Sequence, residues 1–256
     1  MENVKITLYE MIYFKYVEFT KIESKKCKKL FLLNIPVERI DDDIVNNTIE
    51  MEYVKGIERI WVLNKELVLN NIYIDELAKN GKIKIIEWIW GKSKTEEFKF
   101  EYTYAIIDAA ENGHLNVIEW FWEKSKTENL EFKYRIDLLM NIENMEILEW
   151  FWEKHMNENL KFIVEGDDIM GFSFTGNVKT LDWIYNKYKE NNLEFEYDEE
   201  NIKWAVHCRK LNILDWFWKK HMTKELVFMY NREEVKSELT ISPSLFEEWF
   251  LNRNLI

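Results

Sequence analysis

The sequence predicts an all-α chain assembled from helix–turn–helix units about 33 residues long. Three observations carry that prediction. The 256 residues are 47% hydrophobic and 16% aromatic, with 12 Trp, a composition that requires a packed core; 7 Gly and 2 Pro leave little material for the turns of a sandwich or barrel. An aromatic triplet recurs as Trp88-Ile89-Trp90, Trp120-Phe121-Trp122, Trp150-Phe151-Trp152, Trp183-Ile184-Tyr185 and Trp216-Phe217-Trp218, with a weaker Trp249-Phe250-Leu251; its first Trp returns after 32, 30, 33, 33 and 33 residues. A second motif keeps the same irregular step: Phe98 to Tyr102, Leu130 to Tyr134, Leu160 to Val164, Leu193 to Tyr197 and Leu226 to Tyr230.

The elements follow in chain order. Residues 1–70 read as a divergent N-terminal cap or degenerate repeat, of the kind a solenoid needs to seal its first unit. Tyr9 to Phe19 is strongly aromatic, Phe31 to Ile35 is apolar and interrupted by Pro36, and Trp61 with Leu67-Val68-Leu69 matches the Trp and connector of a unit at shortened spacing. Residues 71–256 hold about six units, and the one from Tyr104 to Tyr134 is the clearest. Tyr104 to Asn112 is a short helical run, and Gly113 stands where a helix end wants positive φ. Leu115 to Lys124 is a second helix, whose Val117, Ile118, Phe121 and Trp122 form one apolar face. Leu130 to Tyr134 alternates with period two and is extended. Neither helix reaches the ~12–15 residues that an isolated helix needs, so stacking on neighbours must supply the burial. Ser242-Pro243 suits the start of a C-terminal capping helix.

The run Ala109-Ala110-Glu111-Asn112-Gly113-His114-Leu115-Asn116-Val117-Ile118-Glu119-Trp120-Phe121-Trp122 resembles the ankyrin repeat: an alanine pair, Gly-His, a Val pair and a Leu pair, with Phe121 and Trp122 in the last slots. Trp before that pair is similar to the divergent ankyrin repeats of giant DNA viruses of amoebae (mimivirus-like), and the abundance of Asn, Lys, Ile and Glu fits an AT-rich genome. The resemblance is uneven. Gly113 has counterparts in Gly81 and Gly176, but Glu143, Arg209 and Ser242 fill that slot elsewhere, and the Thr-Pro-Leu-His helix start is missing. It implies an ankyrin-like helix-turn-helix repeat solenoid that binds a protein partner as a scaffold or adaptor, or that serves as a structural component of a virion or viral complex.

No motif for catalysis or metal binding rises above the repeat. Gly91-Lys92-Ser93 lacks the first Gly of a phosphate loop, since Ile86 stands five residues before Gly91, and Glu123-Lys124-Ser125 repeats the segment. Gly166-Asp167-Asp168 falls at a helix start, where Asp caps. His155 and His221 follow second helices, where histidine complements the helix dipole; His207-Cys208 alone cannot supply the three or four ligands that zinc needs. No enzyme activity, cofactor or metal is therefore expected. Net charge of −12 speaks against nucleic acid, in spite of the Lys25, Lys26, Lys28, Lys29 run, and favours a basic or apolar protein partner. Two cysteines, charges at Glu2, Lys5 and Glu10 and the absence of a long apolar run lead us to expect an intracellular, cytoplasmic setting (the host cytoplasm for a viral protein) with no membrane association.

Recurrent positions build a core, so a binding site should fall on positions that vary. The Asp108 slot holds Glu76, Asp108, Leu138, Gly171 and Trp204, and the Glu111-Asn112 pair becomes Lys79-Asn80, Asn141-Ile142, Phe174-Thr175 and His207-Cys208. The early units are polar there and the later ones are not. Leu138, Ile142, Phe174, Trp204 and His207 are the expected partner-binding patch, rimmed by Glu and Asp.

Overall fold

A computed structural model describes residues 25–135, 141–162, 166–240 and 245–256. Among them the regular structure is helical throughout: fifteen α-helices, a 3-10 turn at Val37–Arg39 and no strand. No helix among the described residues is long and apolar enough to cross a membrane. The chain divides into two compact units, residues 1–133 and 134–256.

The first unit contains α1 (Lys25–Asn34), α2 (Asp42–Glu50), α3 (Val54–Leu63), α4 (Lys65–Asn71), α5 (Ile74–Lys79), α6 (Ile83–Ser93), α7 (Ala105–Glu111) and α8 (Leu115–Glu128). Local chemistry sets their ends. The Asp41 and Asn64 side chains accept from the Ile44 and Leu67 N–H groups and so open α2 and α4. Between α5 and α6, Gly81 has φ +65°, and a Cβ there would lie 2.6 Å from Nδ1 of His114, so both the turn and the close approach require glycine. Helix α5 packs on α6 and α7, and α7 on α8. Helix α8 runs past the expected Lys124 to Glu128, held by a Lys124–Glu128 pair one turn apart (2.6 Å) and stopped by Asn129 at φ 55°. Gly91-Lys92-Ser93 is the last turn of α6.

The second unit contains α9 (Met145–Glu158), α10 (Gly166–Thr175), α11 (Val178–Glu190), α12 (Glu199–His207), α13 (Leu211–Met222), α14 (Arg232–Thr240) and α15 (Leu245–Leu251). Asn144 and Asn177 cap α9 and α11, and Asp198 with Asn201 forms a capping box on α12. Helix α12 packs on α10, α13 and α14, and α11 on α13. Arg209 takes the glycine slot after α12 and does so at φ 57°. Gly166-Asp167-Asp168 opens α10. His155 packs against Trp152 with the ring planes tilted by 57°, and its Nδ1 is 2.9 Å from the Leu160 carbonyl, so it ties the end of α9 to the connector that follows. The proposed helix start at Ser242-Pro243 lies outside the described residues, as does the segment Tyr9 to Phe19.

The triplets explain how these short helices hold together. Residues two apart on an α-helix point about 200° apart, so the first and third aromatics face opposite neighbours while the middle residue enters the core. Phe121, Phe151 and Phe217 are accordingly buried to 1% exposure or less. The third aromatic of one helix meets the first Trp of a later one edge-to-face: Trp61–Trp88 (5.4 Å) and Trp90–Trp120 (6.5 Å) in the first unit, Trp152–Trp183 (6.2 Å), Tyr185–Trp216 (5.6 Å) and Trp218–Trp249 (6.1 Å) in the second. The connectors add an aromatic to each joint: Phe98, Phe100, Phe162, Phe195 and Phe228.

A carboxylate closes most of these joints. The acid immediately before one triplet slot accepts the indole N–H of a later Trp: Trp88 to Glu58 (2.5 Å), Trp183 to Glu149 (2.7 Å), Trp216 to Asp182 (2.8 Å) and Trp249 to Asp215 (2.7 Å). The base four residues after each of those Trp side chains pairs with the same acid: Lys92, Lys187, Lys220 and Arg253. The third aromatic donates in the other direction, Trp61 to Glu96, Trp90 to Glu128 and Tyr185 to Glu225. Trp61 thus corrects the sequence reading. It plays the third-aromatic part, with Glu58 in the acid slot, and Leu67-Val68-Leu69 lies within α4, which Asn64 caps, instead of forming an extended connector. At Trp120 the clasp is incomplete: its buried Nε1 has no hydrogen-bond partner among the described residues.

Burial alone would raise the Glu58, Glu149 and Asp182 carboxyls, but the bonds from the lysines and indoles outweigh it and hold all three below their ordinary values. Lys189, Thr223 and Tyr185 bring Glu225 down to about 2. A lowered folded-state pKa gives stability that is complete above the unfolded value and lost as pH falls through the folded one. The urea midpoint is therefore expected to hold from pH 7 to pH 5 and to fall below about pH 4. Trp216→Phe keeps most of the ring contact and deletes the donor, so it should cost about 1–2 kcal/mol, against about 3–5 kcal/mol for Trp216→Ala, both read from urea unfolding followed by circular dichroism.

Candidate interaction surface

Of the expected patch, three residues come together. Phe174 in the last turn of α10 is 50% exposed and touches Trp204 of α12, with ring centroids 5.3 Å apart and planes at 41°. Trp204, half-buried, meets His207 one turn later at 5.1 Å and 75°. His207 is exposed, and its Nδ1 lies 2.9 Å from Oε2 of Glu238 on α14. An ionised carboxylate only accepts, so Nδ1 carries the proton in that bond. The aromatic line Phe174–Trp204–His207 thus runs across α10 and α12 and ends on a carboxylate of α14.

Two expected members do not join it. Ile142 is fully buried, which corrects its assignment to the surface. Its carbonyl accepts from the Thr180 hydroxyl (2.6 Å) and from Asn177 Nδ2 (3.2 Å), so the backbone at 142 anchors the start of α11 and the side chain enters the core. Leu138 lies outside the described residues. The second position of the variable pair is a helix end: Asn80 and Asn112 return their Nδ2 groups to the Glu76 and Asp108 carbonyls. The first position, Lys79, Glu111, Asn141, Phe174 and His207, is exposed throughout, whereas the second is exposed as Asn80, Asn112 and Thr175 but buried as Ile142.

The acidic rim has a specific geometry. Lys203 and His207, four apart on α12, face Glu234 and Glu238, four apart on α14. Lys203 Nζ lies 2.9 Å from Glu234 and 3.0 Å from Glu200, and the hydrogen bonds it donates, first to Glu234 and then to Glu200, raise its pKa. One ammonium between two carboxylates leaves a negative surplus. Cys208, partly buried, has its thiol pKa raised by that burial, so it holds no thiolate ready for chemistry. Alignment of the units on one another reveals Phe174 and Trp204 but not these rungs, because Glu234 and Glu238 come from the following helix pair. The signal available was the i, i+4 spacing on both helices.

Elsewhere, an open cleft of about 330 Å³ in the first unit is lined by Leu69, Ile72, Tyr73, Phe98, Phe100 and Tyr102. Of its polar groups, Asp75 accepts from the Thr103 N–H and Lys99 pairs with Glu101, while the Tyr102 hydroxyl is buried with no hydrogen-bond partner among the described residues. No group of three His, Cys, Asp or Glu among the described residues is placed to hold a metal ion.

Comparison of the chain with protein-family models, with curated proteins and with solved structures finds no match in any of the three.

The contrast between Ile142 and Phe174 is measurable. Ile142→Ala should destabilise by about 2–5 kcal/mol, as a buried deletion does, while Phe174→Ala should cost about 1 kcal/mol or less. Equal costs in chemical denaturation would place Phe174 in the core.

Proposed function

We propose that the chain is an ankyrin-like repeat solenoid, of the divergent kind found in giant viruses, that serves as a protein–protein interaction scaffold or adaptor in the cytoplasm and does no chemistry of its own. The observation that carries this reading is the exposed aromatic line Phe174–Trp204–His207. Aromatic side chains left partly in water on packed helices are the residues that supply most interface energy when a partner covers them. The recurring joints support the repeat reading, because the same acid, Trp and base are used at step after step.

Affinity capture from expressing cells, comparing the wild-type chain with a Phe174→Ala/Trp204→Ala double variant of unchanged helical content, tests the proposal. The expected result is a discrete partner held by the wild type and reduced at least about tenfold by the variant, the loss typical of one or two hot-spot residues. A partner retained in full by the variant contradicts the site. Capture of the chain's own copies alone contradicts the adaptor reading and favours a structural, assembly-forming protein.

A further inference from the structure

This inference rests on reading the α10–α12–α14 surface as a binding surface and adds the chemistry of what it binds. We infer that the surface takes an arginine-rich partner segment, with one guanidinium stacked on Phe174 and Trp204 and another bonded to Glu238. The aromatic component is the Phe174–Trp204 pair, half-exposed at Phe174. A planar guanidinium is weakly hydrated and stacks on such rings, and it presents a fork of donors to a carboxylate.

The carboxylate stands at the far end of the same aromatic line, where a second arginine of the segment meets it. His207 contacts Trp204 at 5.1 Å and Glu238 at 2.9 Å, so one imidazole separates the ring from the acid. The His207 bond uses Oε2, and an ionised carboxylate offers about four acceptor sites. Beside it, Lys203 is shared between Glu200 and Glu234, which leaves that cluster one negative charge in excess. The whole chain carries −12, so a cationic segment is also drawn in from a distance. An apolar segment would desolvate Glu238 and the Lys203 cluster without replacing their water, and an acidic one would meet like charge.

The test is calorimetric titration of the full chain with three ten-residue peptides of alternating glycine with arginine, lysine or aspartate, at about 0.15 M salt, where the Debye length is ~8 Å. The arginine peptide should bind several-fold more tightly than the lysine peptide, and the aspartate peptide not at all. Phe174→Ala/Trp204→Ala should abolish the arginine preference, and Glu238→Gln should weaken the arginine peptide about tenfold with helical content unchanged. Equal binding of the arginine and lysine peptides, or an arginine affinity indifferent to either variant, overturns the inference. A captured partner that is lost on Phe174→Ala/Trp204→Ala but survives Glu238→Gln, and that the arginine peptide does not displace, leaves the binding surface standing and overturns only its arginine chemistry.

Discussion

The indole–carboxylate bond is the constraint around which these helices are arranged. A tryptophan buried between two helices brings an N–H that must find an acceptor, since an orphaned buried donor costs about 1–3 kcal/mol. Here the acceptor belongs to an earlier helix, and a base one turn after the Trp balances its charge. The bond therefore cannot form within one helix, and neither can the edge-to-face aromatic contact above it. Helices as short as α5, with six residues, and α7, with seven, have no independent stability and exist through their neighbours. Trp120 is the exception: its buried N–H has no partner among the described residues, although Glu87 stands in the acid slot of the earlier helix.

Such joints divide labour between the helices. Triplet-bearing helices such as α6, α11 and α13 spend both flanks on neighbours, and their middle residue on the core. The short helices α5, α7, α10 and α12 each turn the first side chain of the variable pair outward. In α5 and α7 that position is Lys79 and Glu111; in α10 and α12 it is Phe174 and His207. Outward positions on a packed scaffold can change with less disturbance to its core than buried ones.

Much of this was legible in the sequence because the repeat is aromatic. A Trp-x-Trp pattern at helical spacing has few interpretations, and the connector motif with its alternation fixed the phase of each unit. The clasp was equally present and harder to see. An acid precedes every first Trp, from Glu87 to Glu248, and a base follows each by four, from Lys92 to Arg253. Charged residues on an amphipathic helix read as a solvated face, however, and only the contacts between helices give them a second role. Ile142 was misplaced because alignment carried the helical register of other units through 141–142, where the backbone instead turns to anchor α11. Trp61 was matched to the wrong member of the triplet, since Arg59 occupies the first-Trp slot of α3 and removes the marker.

Indole N–H exchange, followed by NMR with each Trp assigned, tests the joint most directly, because the bond itself is observed. We expect the indole protons of Trp88, Trp183, Trp216 and Trp249 to exchange slowly, and Asp182→Asn to speed exchange at Trp216 far more than at Trp88. Indole protons that all exchange at the rate of exposed tryptophan, or a Trp216 proton indifferent to Asp182, would contradict the carboxylate clasp as the element that holds these helices together.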